Sequence, residues 1–193
     1  MGLLDSLKKF VKNLFGGETD PNARGKGVKE SKTFTFAYIP KNLDELKALP
    51  EASLDTAFKT TALAVLILCR FKDDPEAVYG MLDYLNGPDS VSNYTKGFIK
   101  ERLEGKTYLP FSYFKGATVQ NNYTPSEPLT ITVTSTPYSF DEENWATLYV
   151  TSAGADSPRG IKLRKKPSTG QWFVTEIQCL SDIRLPVEAN PWA

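Results

Sequence analysis

The residue types that most often perform catalysis are scarce in this chain, and histidine is absent altogether. Without histidine the chain lacks the commonest general base, the Ser-His and Cys-His nucleophile pairs, and the usual nitrogen ligand of zinc sites. Acid–base chemistry would then have to use carboxylates, lysines or tyrosines held close together. We therefore looked first for such groups at spacings that could place them in one site.

Carboxylates cluster at residues 73–74 and 141–143, and Asp156 stands apart from both. Asp74 directly precedes Pro75, a pair typical of a helix N-cap followed by the first helical residue. The acids at 141–143 are adjacent, whereas a calcium loop needs oxygen ligands at spaced positions around a sharp turn. Asp156 begins an Asp-Ser-Pro-Arg turn. We predict no catalytic residue and no metal site from these groups.

The glycine and cysteine patterns indicate no cofactor. The only basic glycine motif, RGKG at 24–27, lacks the preceding strand and following helix that a phosphate loop requires. Cys69 and Cys179 are too far apart in sequence to form a disulfide framework or a metal motif, and Cys69 lies in an apolar run. We expect both to be buried, unreactive thiols.

The net charge of the chain limits the classes of partner that it is expected to bind. Lys+Arg and Asp+Glu both number 23, so the chain lacks the basic excess of a dedicated nucleic-acid binder. The apolar runs fall far short of the roughly 20 residues of a transmembrane helix, and no signal-peptide pattern is present. We expect no nucleic-acid partner, no transmembrane segment, and a protein that is cytoplasmic or held peripherally at the inner membrane face.

Residues 1–16 have the pattern of an amphipathic helix that Gly16-Gly17 would end. On a helical wheel the apolar residues lie together on one side and the polar residues, three lysines among them, lie on the other. We predict that this helix docks on another surface through the following residues: Leu3, Leu4, Leu7, Lys8, Lys9, Phe10, Val11, Lys12, Leu14 and Phe15.

Three surfaces could accept the apolar side of that helix: an anionic membrane, an unknown protein partner or second copy, and the protein's own body. A helix of about 13 residues is only marginally stable alone in water, so some docking is expected. Residues 1–32 carry a net charge of +3 and residues 33–193 one of −3. The polar, glycine-rich residues 17–32 are predicted to be a flexible linker, which permits all three alternatives.

Residues 33–193 predict one α+β domain, because a strand and a run of helices precede a run of strands. The expected architecture is a helical layer packed on an antiparallel β-sheet meander. Ser53 is the expected cap of the most apolar helix, at 54–71. The pattern predicts strands at 33–39, 129–135, 146–152, 160–166 and 171–177, and helices at 43–48, 54–71, from Pro75 to the Asn86-Gly87 stop, and at 90–104.

Two further features could bind a partner. Between the helices and the last strands lies an aromatic segment whose members either pack in the core or form a binding surface: Tyr108, Phe111, Tyr113, Phe114 and Tyr123. The second feature is the basic run at 162–166. It is typical of a charged edge strand that discourages aggregation, and the alternative is an anion-binding patch.

Three stretches, SYFKGATVQNNYTPSEPLTI, ADSPRGIKLRKKPSTGQWFVTE and LPVEANPWA, resemble an uncharacterised family of Gram-positive bacterial proteins known as a domain of unknown function. The resemblance covers roughly residues 33–193. It implies a bacterial source and a self-contained domain, and it brings no activity or functional residue.

Together these observations favour a non-enzymatic binding or interaction domain with an amphipathic N-terminal docking helix. The alternative is a small-molecule-binding protein or enzyme with a pocket between helices and sheet, using carboxylates and tyrosines.

Overall fold

Five β-strands form an antiparallel meander in sequence order, and the helices lie between the first and second strands. The computed structural model describes residues 27–192, so the predicted helix at 1–16 and most of the predicted linker lie outside it. The predicted α+β class is confirmed. The elements are β1 (Ser31–Phe36), α1 (Leu43–Lys47), α2 (Ala57–Leu68), α3 (Pro75–Asn86), α4 (Asn93–Leu103), β2 (Leu129–Thr134), β3 (Trp145–Val150), β4 (Arg159–Lys165) and β5 (Trp172–Ile177).

Helix α2 is the centre of the core, as its apolar sequence predicts: every residue in it except Lys59 is buried. The predicted cap at Ser53 is wrong. Residues Pro50–Ser53 form a 3₁₀ turn, and Leu54 follows it in the left-handed conformation with φ of 55°. The helix therefore begins later, where the side chain of Thr56 accepts a hydrogen bond from the backbone N–H of Lys59.

The two faces of the sheet differ as strand alternation requires. The inner face contributes the buried apolar residues of the core, among them Phe36, Ile131 and Leu148. On the outer face of β1 and β2, threonine and serine hydroxyls pair across the strands at 2.9–3.3 Å, as in Thr33–Thr132. Strand β1 begins at Ser31, so it includes the last two residues of the predicted linker.

The basic run lies in the interior of the sheet, so its interpretation as a charged edge strand is wrong. Strand β4 pairs with β3 on one side and β5 on the other, and the two edges are β1 and β5. Three cations of the run contact neighbouring strands. Lys162 Nζ lies 2.6 Å from a Glu176 oxygen of β5, the Arg164 guanidinium stacks on Trp145 of β3, and Lys165 Nζ lies 5.9 Å from the centre of the Trp172 ring of β5. Strand order depends on long-range pairing, which the local pattern does not encode.

The connector from α4 to β2 is held by a buried chain of hydrogen bonds. The Gly154 N–H donates to Ser152 Oγ (3.0 Å), the Ser152 hydroxyl donates to Ser112 Oγ (2.7 Å), and the Ser112 hydroxyl donates to the Leu109 carbonyl (2.7 Å). Both serines are buried. The chain fixes the 3₁₀ turn at Pro110–Tyr113 against the loop between β3 and β4.

Candidate functional site

The aromatic segment is largely internal. Tyr113, Phe114 and Tyr123 are buried, and Tyr108 and Phe111 are partly buried against the core. The Tyr113 hydroxyl donates to the Cys179 carbonyl at 2.7 Å. This burial favours the core-packing alternative for the three buried members, and a binding surface built from all five residues stays a prediction.

Burial also fixes the protonation of these tyrosines. Loss of water around the ring raises the pKa of the Tyr113 hydroxyl well above its ordinary range, and burial raises the pKa of Tyr108 and Tyr123 as well. The three hydroxyls are therefore neutral hydrogen-bond donors at physiological pH. Tyr123 uses its proton to bind the Arg184 carbonyl at 2.8 Å, so it is a structural donor.

Strand β5 presents an open sheet edge. At its start the edge is covered, because the Trp172 N–H donates to the Leu54 carbonyl (2.8 Å) and the Trp172 carbonyl accepts from the Thr60 hydroxyl (2.9 Å). Further along, among the described residues, no strand pairs with this edge. Helix α4 and the end of α3 stand opposite it instead, across a cavity of about 310 Å³.

Helix α4 is held at this position by its N-terminal end. Its N-cap is Ser92, whose side chain accepts from the Thr95 N–H. Just before the cap, the backbone N–H of Val91 donates to the Asp83 carboxylate of α3 at 2.7 Å. The Tyr79 hydroxyl, also on α3, donates to the Lys96 carbonyl at 3.3 Å. The last two bonds connect the start of α4 to α3.

We call this cavity the β5 groove. Its floor is apolar and buried, formed by Leu82, Val91 and Ile99 on the helical side and Val174 on the strand. Its rim is more polar and includes Tyr94, whose side chain is 84% exposed. An aromatic ring that is so exposed beside an apolar floor is typical of binding surfaces.

A second cavity of about 620 Å³ adjoins the β5 groove and shares part of its lining with it. Its lining includes three cations, Arg164, Lys165 and Lys166, and two carboxylates, Asp89 and Glu143. The surface along β5 is therefore apolar beside α4. Near the end of β4 it is net positive, because three cations face two carboxylates there. An elongated ligand that lies along the strand would meet both environments.

Glu176, which lines the groove, and the two buried cysteines outside its lining all have shifted pKa values. Glu176 accepts hydrogen bonds from Lys162 and from the Gln178 amide, and these bonds lower the pKa of its carboxyl. An ionised carboxylate that accepts two hydrogen bonds is a poor general acid. Burial raises the pKa of the Cys179 thiol to about 12 and that of Cys69 well above its usual range, so neither is a thiolate nucleophile.

Within residues 27–192 no group of three or more His, Cys, Asp and Glu side chains could hold a metal ion. In the same range no helix has the length and apolarity that crossing a bilayer requires. The lining of the groove is mostly apolar, and its one carboxylate is that of Glu176. The docking residues predicted at 3–15 lie outside the described part of the chain.

Sequence reasoning did not find the groove. Its parts lie on elements that were correctly predicted, yet α4 and β5 are separated by about 70 residues, and only the strand order shows that β5 has an open edge. Tyr94 lies in the helix that the sequence pattern predicts at 90–104, and no motif marks it as a binding residue.

The fold defines an α+β domain with a groove along one sheet edge. The chain belongs to the family described as Domain of unknown function (DUF6935), whose family model matches residues 38–187. The predicted resemblance to a domain of unknown function is thereby confirmed. No curated protein and no solved structure matches the chain.

Proposed function

We propose that the protein is a non-enzymatic interaction domain whose β5 groove binds an extended segment of a partner protein. The observation that carries the proposal is the open edge of β5 beyond Trp172, which faces α4 across an apolar floor. An extended peptide can add to such an edge as a further strand, with backbone hydrogen bonds for affinity and side-chain pockets for specificity.

The lining of the groove defines the partner segment. The open part of β5, residues 174–177, spans about 13 Å at about 3.3 Å per residue, so about four residues of a partner segment can pair with it. Alternate side chains of that segment would be apolar, to fill the floor beside Leu82 and Ile99. An acidic residue or a terminal carboxylate would lie near Arg164 and Lys166.

The test is peptide selection on the full chain, using a phage library of random peptides. Thr95 lines the groove and Asn93 is exposed on the same helix outside it, so the two positions make a matched pair. Thr95→Arg puts a long charged side chain into the groove, and Asn93→Arg adds the same charge elsewhere. We expect the selected peptides to bind Asn93→Arg normally and Thr95→Arg at least about tenfold more weakly, a loss of about 1.4 kcal/mol. Equal binding to both variants would refute the groove as the site.

Residues 3–15 complete the proposed function as a docking helix for a membrane surface or a partner. The support is their sequence pattern, an unbroken apolar side opposite three lysines. Flotation of the full chain with phosphatidylglycerol vesicles tests the membrane alternative, with Phe10→Lys as the matched variant. Binding that is strong for the natural chain and lost in Phe10→Lys supports a membrane; negligible binding by both leaves a protein partner as the proposed target.

A small-molecule ligand is the second candidate, because the β5 groove is a cavity between helices and sheet with Tyr94 and Glu176 on its lining. Its volume of about 310 Å³ is at the small end of ligand pockets, about 300–1,000 Å³. Thermal shift against a metabolite library distinguishes it. A ligand that stabilises the natural chain and Asn93→Arg but not Thr95→Arg would favour this second function.

A further inference from the structure

An exposed apolar surface lies where the described part of the chain begins. The backbone N–H of Gly27 donates to the Pro137 carbonyl at 3.2 Å, which places Val28 beside the loop between β2 and β3. Val28, Tyr138 and Phe140 are all exposed. We call this the Tyr138 surface, made of Val28 and residues 137–147. Exposed large apolar side chains grouped in this way mark interaction sites.

The Tyr138 surface is also acidic. A cavity of about 660 Å³ within it is lined by Tyr138, Trp145, Asp141 and Glu142, with no lysine or arginine in its lining. Phe140 connects this surface to β5, because the centroid of its ring lies 5.9 Å from that of Trp172. The nearest β4 cation, Arg164, stacks on Trp145 at the border of this surface. An aromatic surface with two carboxylates fits an apolar segment that carries cations.

We propose that residues 3–15 of the same chain bind the Tyr138 surface as a helix in the free protein. Their chemistry is complementary: Leu7, Phe10 and Leu14 share the apolar side, and Lys8, Lys9 and Lys12 flank it. The apolar side would cover Tyr138 and Trp145, while the lysines would approach Glu142. The opposite net charges of residues 1–32 and 33–193 favour the same contact.

The tether allows this contact. Twelve residues lead from Phe15 to Gly27, and they can span at most about 40 Å. A helix of 13 residues is about 20 Å long, so it can lie on the Tyr138 surface without a stretched tether. Short tethers give effective concentrations on the order of millimolar, so an intrinsic Kd in that range would keep the helix about half bound.

The β5 groove is a poorer site for this helix. Its adjoining cavity has three cations, Arg164, Lys165 and Lys166, against two carboxylates, so the net positive charge of its lining would repel the lysines of the helix. The groove also lies at the β5 edge, whereas the described chain begins beside β1 at the other edge. The inference therefore goes beyond the proposed function: peptide binding in the groove and docking of residues 3–15 concern separate surfaces, and either can fail alone.

If the helix docks on the body, the Tyr138 surface competes with external targets for the apolar side of the helix. While its apolar side covers Tyr138, that side is withheld from a membrane or a partner. A target has to bind the helix more tightly than the Tyr138 surface does at the effective concentration of the tether. Weakening the Tyr138 surface would then strengthen vesicle or partner binding without any change in residues 3–15.

Paramagnetic relaxation in the full chain tests the contact. Asn13→Cys on the polar side carries a nitroxide label, and the native Cys69 and Cys179 are buried and do not compete for it. We expect the amide signals of residues 138–147 to lose about half of their intensity at half occupancy, with those of residues 174–177 unaffected. Leu7→Lys combined with Phe10→Lys should restore the intensity while leaving the rest of the spectrum unchanged.

Substitutions on the body make the test specific. Tyr138→Ser and Glu142→Lys should each reduce the loss of intensity, whereas Tyr94→Ser, which removes an even more exposed aromatic at the β5 groove, should not. Loss of intensity centred on residues 94–99 or 174–177, or no loss at all, would overturn the proposal. So would loss that appears only when nitroxide-labelled chains are mixed with ¹⁵N-labelled chains lacking the nitroxide, because the occupant would then be a second copy.

Discussion

Replacing Ser152 with alanine removes the middle of the buried hydrogen-bond chain that fixes the connector before β2. In the native fold the Ser152 side chain accepts from Gly154 and donates to Ser112, and within residues 27–192 no other acceptor binds the buried Gly154 N–H. Ser112 keeps its own donation to the Leu109 carbonyl in this variant. The principal loss is therefore one buried donor left without a partner.

The expected loss in the free energy of unfolding follows from this one unsatisfied donor. An unsatisfied buried donor destabilises a protein by about 1–3 kcal/mol, more than the net value of the bond itself. Ser112→Ala breaks the same link from the other side and leaves the Ser152 hydroxyl without its acceptor, so we expect a similar cost. Both single variants lose the Ser152–Ser112 bond, so the double variant should cost less than the sum, with a coupling of at least about 0.5 kcal/mol.

Urea unfolding of the full chain, followed by circular dichroism, measures these free energies. For a chain of this length each kcal/mol lowers Tm by roughly 2–4 °C, so thermal melting gives an independent check. Thr151→Ala, at the exposed neighbouring position, is the control and should change stability by less than about 0.5 kcal/mol. A cost for Ser152→Ala as small as that of the control, or strictly additive costs in the double variant, would refute the reasoning.

Two further predictions concern titratable groups. Because burial raises the pKa of both Cys69 and Cys179, a thiol reagent at pH 8 should react only as the chain unfolds; fast reaction of the folded chain would contradict the buried placement. The Glu176 carboxyl, with its pKa held below the ordinary 4.5 by Lys162 and then Gln178, contributes stability above that pH and loses it as the pH falls through the folded value. An NMR titration should show this lowered pKa move upward in Lys162→Met, and an unchanged pKa would contradict the assigned cause.

The local parts of the fold could be predicted because their signals are local. Asn42 accepts from the Glu45 N–H and Asp74 from the Ala77 N–H, and these caps begin α1 and α3 at the predicted positions. The hairpin turn between β4 and β5 is equally local, since Gly170 adopts a positive φ of 75° there. Such features depend on residues within one turn of each other.

One error has a local cause, and the other arose where distant residues decide the outcome. The start of α2 moved from Ser53 to Thr56 because Pro50 and Leu54 build a separate turn before it. The basic run belongs to an interior strand, since the position of β4 follows from its pairing with both neighbours. Cross-strand contacts such as Lys162–Glu176 stabilise charges there that the sequence pattern assigned to an edge.

The candidate site was harder to predict than the fold. The aromatic residues at 108–123 allowed two interpretations, core packing or a binding surface, and the buried Tyr113 and Tyr123 show how a loop-like segment can fill the interior. The β5 groove exists only because α4 stands away from an open strand edge. Its lining comes from three elements that no motif connects.

Hydrogen exchange of the full chain, with and without a peptide selected on it, tests strand addition at β5 most directly. A peptide that pairs with β5 should slow exchange of the amides at 174–177 and shield the facing residues 94–99, while the other sheet edge at 31–36 is unchanged. Thr95→Arg should abolish this protection and Asn93→Arg should retain it. Protection confined to the β1 edge or to the helices, with none in β5, would contradict the account.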